Sequence, residues 1–315
     1  LPNGRLSATP RKTEGAAMKL HGCYTALITP FNADLSVDVS AFEAFVEWQI
    51  SQGVHGIVPC GTTGESPTLN HAEHKKLVEA AVKIAAGRAG VMAGTGSNST
   101  SEAIDFTRHA EKAGANSVLV VAPYYNKPTQ EGLFQHYKAI AESTALPVII
   151  YNIPGRSVIN IADSTLARLA EACANIAGIK DATGDLARVA SLRHLVGNRL
   201  TLFSGEDITA VGFNAMGGKG VISVTSNIMP GIMAEIQNLC VAGEFVKARA
   251  LSESLTALHQ VMFCETNPAP VKYAASLMGK CRPSLRLPLV EPSEANKAAI
   301  DAVLKNAGLL TRNAA

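Results

Sequence analysis

IAGIKDATG, residues 176–184, runs as a short apolar strand into an amine, Lys180, and then into a turn. An ordinary lysine is solvated and protonated near neutral pH; it attacks a carbonyl only where apolar surroundings or a second cation lower its proton affinity. Gly178, Ile179 and Ala182 bring no counter-charge. Successive side chains on a strand point to opposite faces, so an inward Lys180 places Asp181 outside. The segment reads as a strand delivering an amine to a barrel mouth. The plainer alternative is a lysine at a strand end whose head snorkels to water.

Working outward, similar runs occur at CYTALITP (23–30), GIVPCG (56–61), GVMAGTG (90–96), SVLVVAP (117–123), PVIIYNI (147–153), LTLFSGE (200–206) and GVISVTSN (220–227). With IAGIKDA (176–182) they number eight, separated by segments of helical apolar spacing such as 39–53 and 99–115. Strands alternating with helices imply a parallel sheet, and eight repeats at this length predict a closed (β/α)8 TIM barrel rather than an open doubly wound sheet. The barrel is expected over residues 18–242. EFVKARALSESLTALHQVM (244–262), APVKYAASLMG (269–279) and SEANKAAIDAVLKNAG (293–308) read as further helices, so 243–315 is expected to form a C-terminal helical appendage on the barrel's side. Residues 1–17 contain Pro, Gly and Arg without the apolar core of a signal peptide and are expected to be a disordered extension.

Composition narrows the function classes. The 315 residues are 47% hydrophobic with a formal net charge of +2 and no block of like charges, which argues against a nucleic-acid or membrane-surface partner and for a small substrate. No apolar run approaches the roughly 18 residues that cross a bilayer. Cys23, Cys60, Cys173, Cys240, Cys264 and Cys281 are dispersed without CxxC or finger spacing, as expected of reduced thiols in a cytoplasmic protein.

Barrel enzymes place their chemistry at the C-terminal ends of the strands. There this chain puts GTTGES (61–66), PYYNKP (123–128), YNIPGR (151–156), Lys180 and SGED (204–207). Turn chemistry explains any one of these loops alone. GTTGES lacks the GxxxxGK[ST] phosphate pattern; its hydroxyls and backbone N–H groups suit a carboxylate, and the fork of Arg156 suits another. In SPTLNHAEHKK (66–76), Asn70 and Glu73 have capping-box spacing, with His71 and His74 read as solvated. These histidines lack the HExxH pattern and a third ligand nearby, so no metal is expected.

Together GTTGES, PYYNKP, YNIPGR, GIKDATG and GVISVTSN, with NPAPVKYA (267–274), resemble the dihydrodipicolinate synthase family of pyruvate-dependent class I aldolases. The resemblance implies a barrel, a homotetramer of paired dimers, no cofactor, and condensation of pyruvate with L-aspartate 4-semialdehyde. It makes Lys180 the Schiff-base lysine and Tyr151 its proton shuttle. Thr62 and Tyr125 become relay partners, Tyr125 across a dimer interface. Thr63 matches the pyruvate carboxylate site, Arg156 the semialdehyde carboxylate anchor, and Gly205 and Ile222 the lysine pocket. It also implies feedback inhibition by L-lysine at a dimer-interface cleft matched by Ser66, His71, His74, Asn98, Glu102 and Tyr124. Pro67 and Gly155 stand where the family commonly has alanine and serine. Two alternatives remain at this point: a sibling lyase acting on a sialic acid or keto-deoxy sugar acid, and a catalytically silent sensor of a keto acid or amino acid.

Overall fold

Eight parallel strands follow one another around the molecule: β1 (Gly22–Ala26), β2 (Gly56–Val58), β3 (Gly90–Gly94), β4 (Ser117–Val121), β5 (Val148–Asn152), β6 (Ile176–Asp181), β7 (Thr201–Ser204) and β8 (Gly220–Ser223). β8 pairs with β1, so the sheet closes in sequence order. The computed structural model describes residues 20–310, and the expected extension at 1–17 lies outside them. Several strands end earlier than their apolar runs. Pro30, Pro59 and Pro123 follow β1, β2 and β4, and a residue without an N–H cannot extend a ladder. The freed ends become mouth loops.

Alternation along the strands sorts the core into two layers. Tyr24, Ala26, Val58, Met92, Leu119, Ile149, Tyr151, Phe203 and Ile222 fill the barrel interior. Val118, Val120, Ile150, Ile179 and Leu202 face outward into the larger layer shared with the helices. The interior is tight: a Cβ on Gly56 would stand 2.1 Å from the Tyr24 ring, so only glycine lets that phenol lie flat across β2.

Helices Val39–Ser51, His71–Ala85, Thr100–Ala113, Gln130–Glu142, Asp163–Ala172, Leu186–Val196, Ala210–Ala215 and Pro230–Val241 alternate with the strands. The capping box at Asn70 and Glu73 is formed in both directions. Among the described residues no helix is long and apolar enough to cross a membrane.

The C-terminal helices are present, with the 244–262 segment broken at Leu255 into Phe245–Ser254 and Thr256–Val261. Helix Phe245–Ser254 packs on the barrel's side, against Pro230–Val241 and Ala210–Ala215. The chain beyond it reaches the mouth as well. Lys272, in helix Ala269–Leu277, is fully buried and meets Glu65 of the GTTGES loop, Nζ to Oε1 2.6 Å. The Arg286 backbone N–H donates to the other oxygen of Glu65 at 3.0 Å. Arg286 also pairs with Glu73 and donates to the carbonyls of Leu35 and Thr68. The appendage is therefore pinned to the mouth loop after β2 as well as to the flank.

Burial lowers the Lys272 pKa, and the Glu65 carboxylate opposes that effect. Removing one partner of a buried pair leaves the other charge unpaired, which costs about 3–5 kcal/mol. Lys272→Met is expected to lose stability on that order in urea unfolding. A loss below about 1 kcal/mol would show that water replaces the ammonium at Glu65.

Candidate active site

Lys180 reaches the barrel interior through an irregularity in β6. Val148 pairs with Ile176, but the next partner of β5, Ile149, pairs with Gly178, so Ala177 is extra. Without the bulge this makes, an uninterrupted ladder would set Lys180 opposite Asn152, whose side chain points into the helix layer. With it, Lys180 pairs with Tyr151 on one side and Phe203 on the other. A bulge of this kind inverts the facing of every later side chain on the strand.

Lys180 is 6% exposed, and its amine lies over the Tyr151 ring, 4.2 Å from the centroid. Tyr151 is itself buried, with its edge on a cavity of about 30 Å³ lined by Gly61, Thr62, Ser66, Gly96, Leu119 and Val121. Thr62 and Tyr151 therefore share one enclosure. Ile222 stands on the inner face of β8. Gly205 follows β7, where a Cβ would come within 2.6 Å of the Ala182 Cβ, so its lack of a side chain keeps the neighbouring strand ends together. Glu206 comes next. Burial raises its carboxyl above the ordinary range, the nearby Lys180 charge opposes this, and Asp207 and Asp181 reinforce it.

Thr63 and Arg156 are joined by a residue that motif spacing does not single out. Asn267 donates from Nδ2 to Thr63 Oγ1 at 3.0 Å, and its backbone carbonyl accepts from Arg156 Nη2 at 3.0 Å. Arg156 is exposed on the short helical turn Pro154–Ser157, so its remaining N–H groups face the mouth and solvent. Thr63 is 2% exposed and Thr62 only partly covered, which gives the two adjacent hydroxyls different access.

Tyr125 is not brought to Lys180 within one chain. It is 91% exposed, with φ +73° in the left-handed region. A non-glycine residue rarely adopts that conformation without surrounding constraint. Beside it, Tyr124 is half-buried and its backbone carbonyl accepts from Asn98 Nδ2 at 3.2 Å. Burial raises the Tyr124 phenol, and the Glu102 charge acts in the same direction. Glu102 itself is held below the usual carboxylate range, first by the hydroxyl of Ser97 and also by His71, whose Nε2 is 2.8 Å away.

His71, Glu102, Asn98 and Tyr124 thus form one partly exposed cluster, while Ser66 stands on the cavity of Thr62 and Tyr151. His74 differs from its expectation as a solvated side chain. It is 4% exposed, stacks on Phe106 at 3.9 Å, and shares a hydrogen bond with the Gly94 carbonyl at 2.8 Å. The cause is the neighbouring helix: Phe106, in Thr100–Ala113, comes over the ring and shuts out solvent. Among the described residues no group of three or more His, Cys, Asp or Glu side chains could hold a metal ion.

The profile of the dihydrodipicolinate synthetase family matches residues 19–307. The chain belongs to that family. A 4-hydroxy-tetrahydrodipicolinate synthase of Afipia carboxidovorans is 53% identical over 94% of this chain and 99% of its own. The dihydrodipicolinate synthase of Acinetobacter baumannii, solved in complex with pyruvate, is 44% identical, covers 93% of this chain and 100% of its own, and superimposes with TM-score 0.91. The enzyme of Cyanidioschyzon merolae, solved with lysine bound, is 36% identical over 92% of this chain and 99% of its own, with TM-score 0.88.

In this member of the dihydrodipicolinate synthetase family, two mouth residues have roles that motif spacing leaves unnoticed. Asn267 and Glu65 both stand inside motifs, NPAPVKYA and GTTGES. Their signal is polarity in otherwise apolar or turn-forming runs, and only the folded chain supplies their partners.

Burial pushes the His74 pKa down to about 4. Above its ordinary value near 6.5 the ring is neutral whether folded or unfolded; below it, the unfolded chain binds a proton that the fold refuses. Stability is therefore present above about pH 6.5 and lost as pH falls towards 4. His74→Asn should flatten that decline by an amount on the order of 3 kcal/mol, read from urea unfolding at a series of pH values. An unchanged slope would show that His74 titrates as freely in the fold as outside it.

Proposed function

We propose that the chain condenses pyruvate with L-aspartate 4-semialdehyde to give 4-hydroxy-tetrahydrodipicolinate, a lyase reaction of lysine and diaminopimelate biosynthesis. One observation carries the reading: a buried amine, Lys180, held in register against Tyr151 inside a barrel half identical to synthases of that name. The groups present define the chemistry. Lys180 Nζ attacks the keto carbon of pyruvate, and the carbinolamine loses water to form an imine. A proton then leaves the methyl carbon to give an enamine, which adds to the aldehyde carbon; the aldehyde oxygen takes a proton and becomes the hydroxyl. Finally the substrate's own amine attacks the imine carbon, releases Lys180 and closes the ring. No cofactor is needed in this sequence.

Tyr151 carries protons to and from the imine nitrogen, with Thr62 as its partner; that both line one cavity supports the assignment. A phenol near pKa 10 is a poor base alone, so a relay serves it. Thr63 and its loop receive the pyruvate carboxylate, and Gly205 and Ile222 bound the pocket. Arg156, tied at one nitrogen to Asn267 and free at the others, receives the semialdehyde carboxylate. Tyr125, extended from the surface, is offered to a second copy as the third member of the relay. We take the assembly to be a homotetramer of two such dimers acting in the cytoplasm, and sedimentation velocity measures its mass directly.

The cluster of Ser66, His71, Asn98, Glu102 and Tyr124, with His74 packed beneath it, is read as an L-lysine site. Glu102 would receive the ammonium, exchanging its bond to His71, and Tyr124 the carboxylate. The lysine-bound relative supports this reading, and Ser66 lines the cavity of Thr62 and Tyr151.

Trapping with pyruvate and borohydride, then intact mass and peptide mapping, should place one adduct on Lys180. Lys180→Ala should lose both trapping and turnover; an adduct on another lysine overturns the assignment. Arg156→Ala should still trap pyruvate but condense poorly, by about 2–5 kcal/mol in kcat/KM for the semialdehyde. Turnover of an amino-sugar acid in place of the semialdehyde would favour the sibling lyase, and no adduct at all a sensor. Excess L-lysine should slow turnover at saturating pyruvate, and Glu102→Ala should relieve that inhibition by about 1–3 kcal/mol of coupling while sparing the uninhibited rate. If calorimetry detects no lysine binding, the cluster is structural only.

A further inference from the structure

Behind the amine, on the outer face of β5 and β6, lies a buried polar network that none of the condensation steps uses. Asn152 and Asp181 are the chain neighbours of Tyr151 and Lys180, and both point into the helix layer, 0% and 4% exposed. Asn152 Nδ2 donates to Asn160 Oδ1 at 2.8 Å and more weakly to Asp181 Oδ1 at 3.4 Å. Its own Oδ1 accepts from the Ile161 N–H at 3.0 Å. Into this network comes Arg188 from helix Leu186–Val196, whose first turn is capped by Asp185. Its guanidinium, 7% exposed, meets Asp163 at 2.9 Å, Asn160 Oδ1 at 2.9 Å, the Ile161 carbonyl and Asp181 Oδ2 at 3.5 Å.

We propose that Arg188 is a positioning residue for the reaction, bracing Asn152 and Asp181 from behind the sheet so that Tyr151 and Lys180 keep their register and Lys180 faces no uncompensated carboxylate at its back.

Two physical effects converge on this role. The pairing of β5 with β6 passes through a bulge, where the ladder is locally disrupted. Side-chain bonds at the far end of the same two strands, across the Asn152–Asp181 pair, hold the register that the bulge sets. Electrostatics is the other effect. A carboxylate on the residue next to an amine, in low dielectric, favours the ammonium form, which cannot attack a carbonyl. A guanidinium, which stays charged at any working pH, cancels that field. The other titratable groups facing Lys180 are Tyr151 from β5 and Glu206, with Asp207 beside it, beyond β7; Tyr24 lies deeper, against Phe203. None of these contacts Arg188 in the network.

The proposal rests on Lys180 as the imine-forming amine, so each variant is compared with a parent enzyme that traps pyruvate; a parent that traps nothing overturns that reading instead. The measurement is the rate of pyruvate adduct formation against pH, with kcat and KM for pyruvate alongside a melting temperature. Arg188→Met is expected to move the pH midpoint of trapping upward by on the order of one unit, and Asp181→Asn in the same background to return it. Arg188→Lys, which keeps charge but loses the fork, should hold the midpoint and lower kcat at least about tenfold with little change in KM. A merely structural role would lower the melting temperature without moving the midpoint, and that outcome overturns the proposal. Should Arg188→Met fail to fold, Asp181→Asn alone decides: the midpoint should fall by a similar amount, and an unmoved midpoint refutes the electrostatic link.

Discussion

One extra residue in β6 sets the whole mouth. Ala177 has no partner of its own on β5, and beyond it inside and outside are exchanged. Lys180 thereby enters the barrel beside Tyr151 and Phe203, while Asp181 turns to the helices and finds Arg188. Had the ladder run without interruption, the amine would lie between sheet and helices beside the Arg188 guanidinium, and the carboxylate would lie in the barrel. The first change sets two cations together, and the second leaves the barrel without its nucleophile. The bulge also opens a close approach at Gly178, whose missing Cβ would meet the Thr201 carbonyl at 2.4 Å.

Charge in this molecule is arranged in two depths around that point. Inside, Lys180 has an aromatic face and the partly buried Glu206. Outside, Asp181, Asp163 and Arg188 form a compact set in which Asp181 and Arg188 are buried and Asp163 is partly exposed, so the inner pair is little screened by solvent. Glu206 links the two, since Lys180 and Asp181 act on it in opposite directions.

The C-terminal helices close the mouth with the same economy of contacts. A single segment, 267–286, bonds to Thr63, Arg156, Glu65 and Glu73, and so reaches the loops after β2 and β5 together. Lys272 also sits over the Phe31 ring at 3.9 Å, so the cation that neutralises Glu65 is covered on its apolar side. A loop rich in Gly, Thr and Ser is floppy by composition; here it is fixed by partners more than 200 residues away in sequence. Fixing that loop costs conformational entropy, and buried charge-assisted hydrogen bonds offset it.

Much of this was legible in the chain. Eight apolar runs spaced by helical segments state a (β/α)8 barrel, because strand and helix periods differ and both are local properties. The capping box at Asn70 and the placement of Lys180, Tyr151, Thr62 and Arg156 at strand ends come from the same local rules. Where each strand ends was legible less well: the prolines mark the limit, but the apolar residues around them look alike in strand and loop. The bulge in β6 was not legible, since it depends on the register of the neighbouring strand. Nor was the burial of His74, which depends on Phe106 coming over its ring, or the joining of Thr63 to Arg156 through Asn267. The sequence by itself determined which elements form and which chemical groups stand at their ends, for these are set within a few residues. Only the tertiary structure decided which groups meet and which charges lose their water, because contact and desolvation belong to pairs of segments brought together by the closing of the barrel.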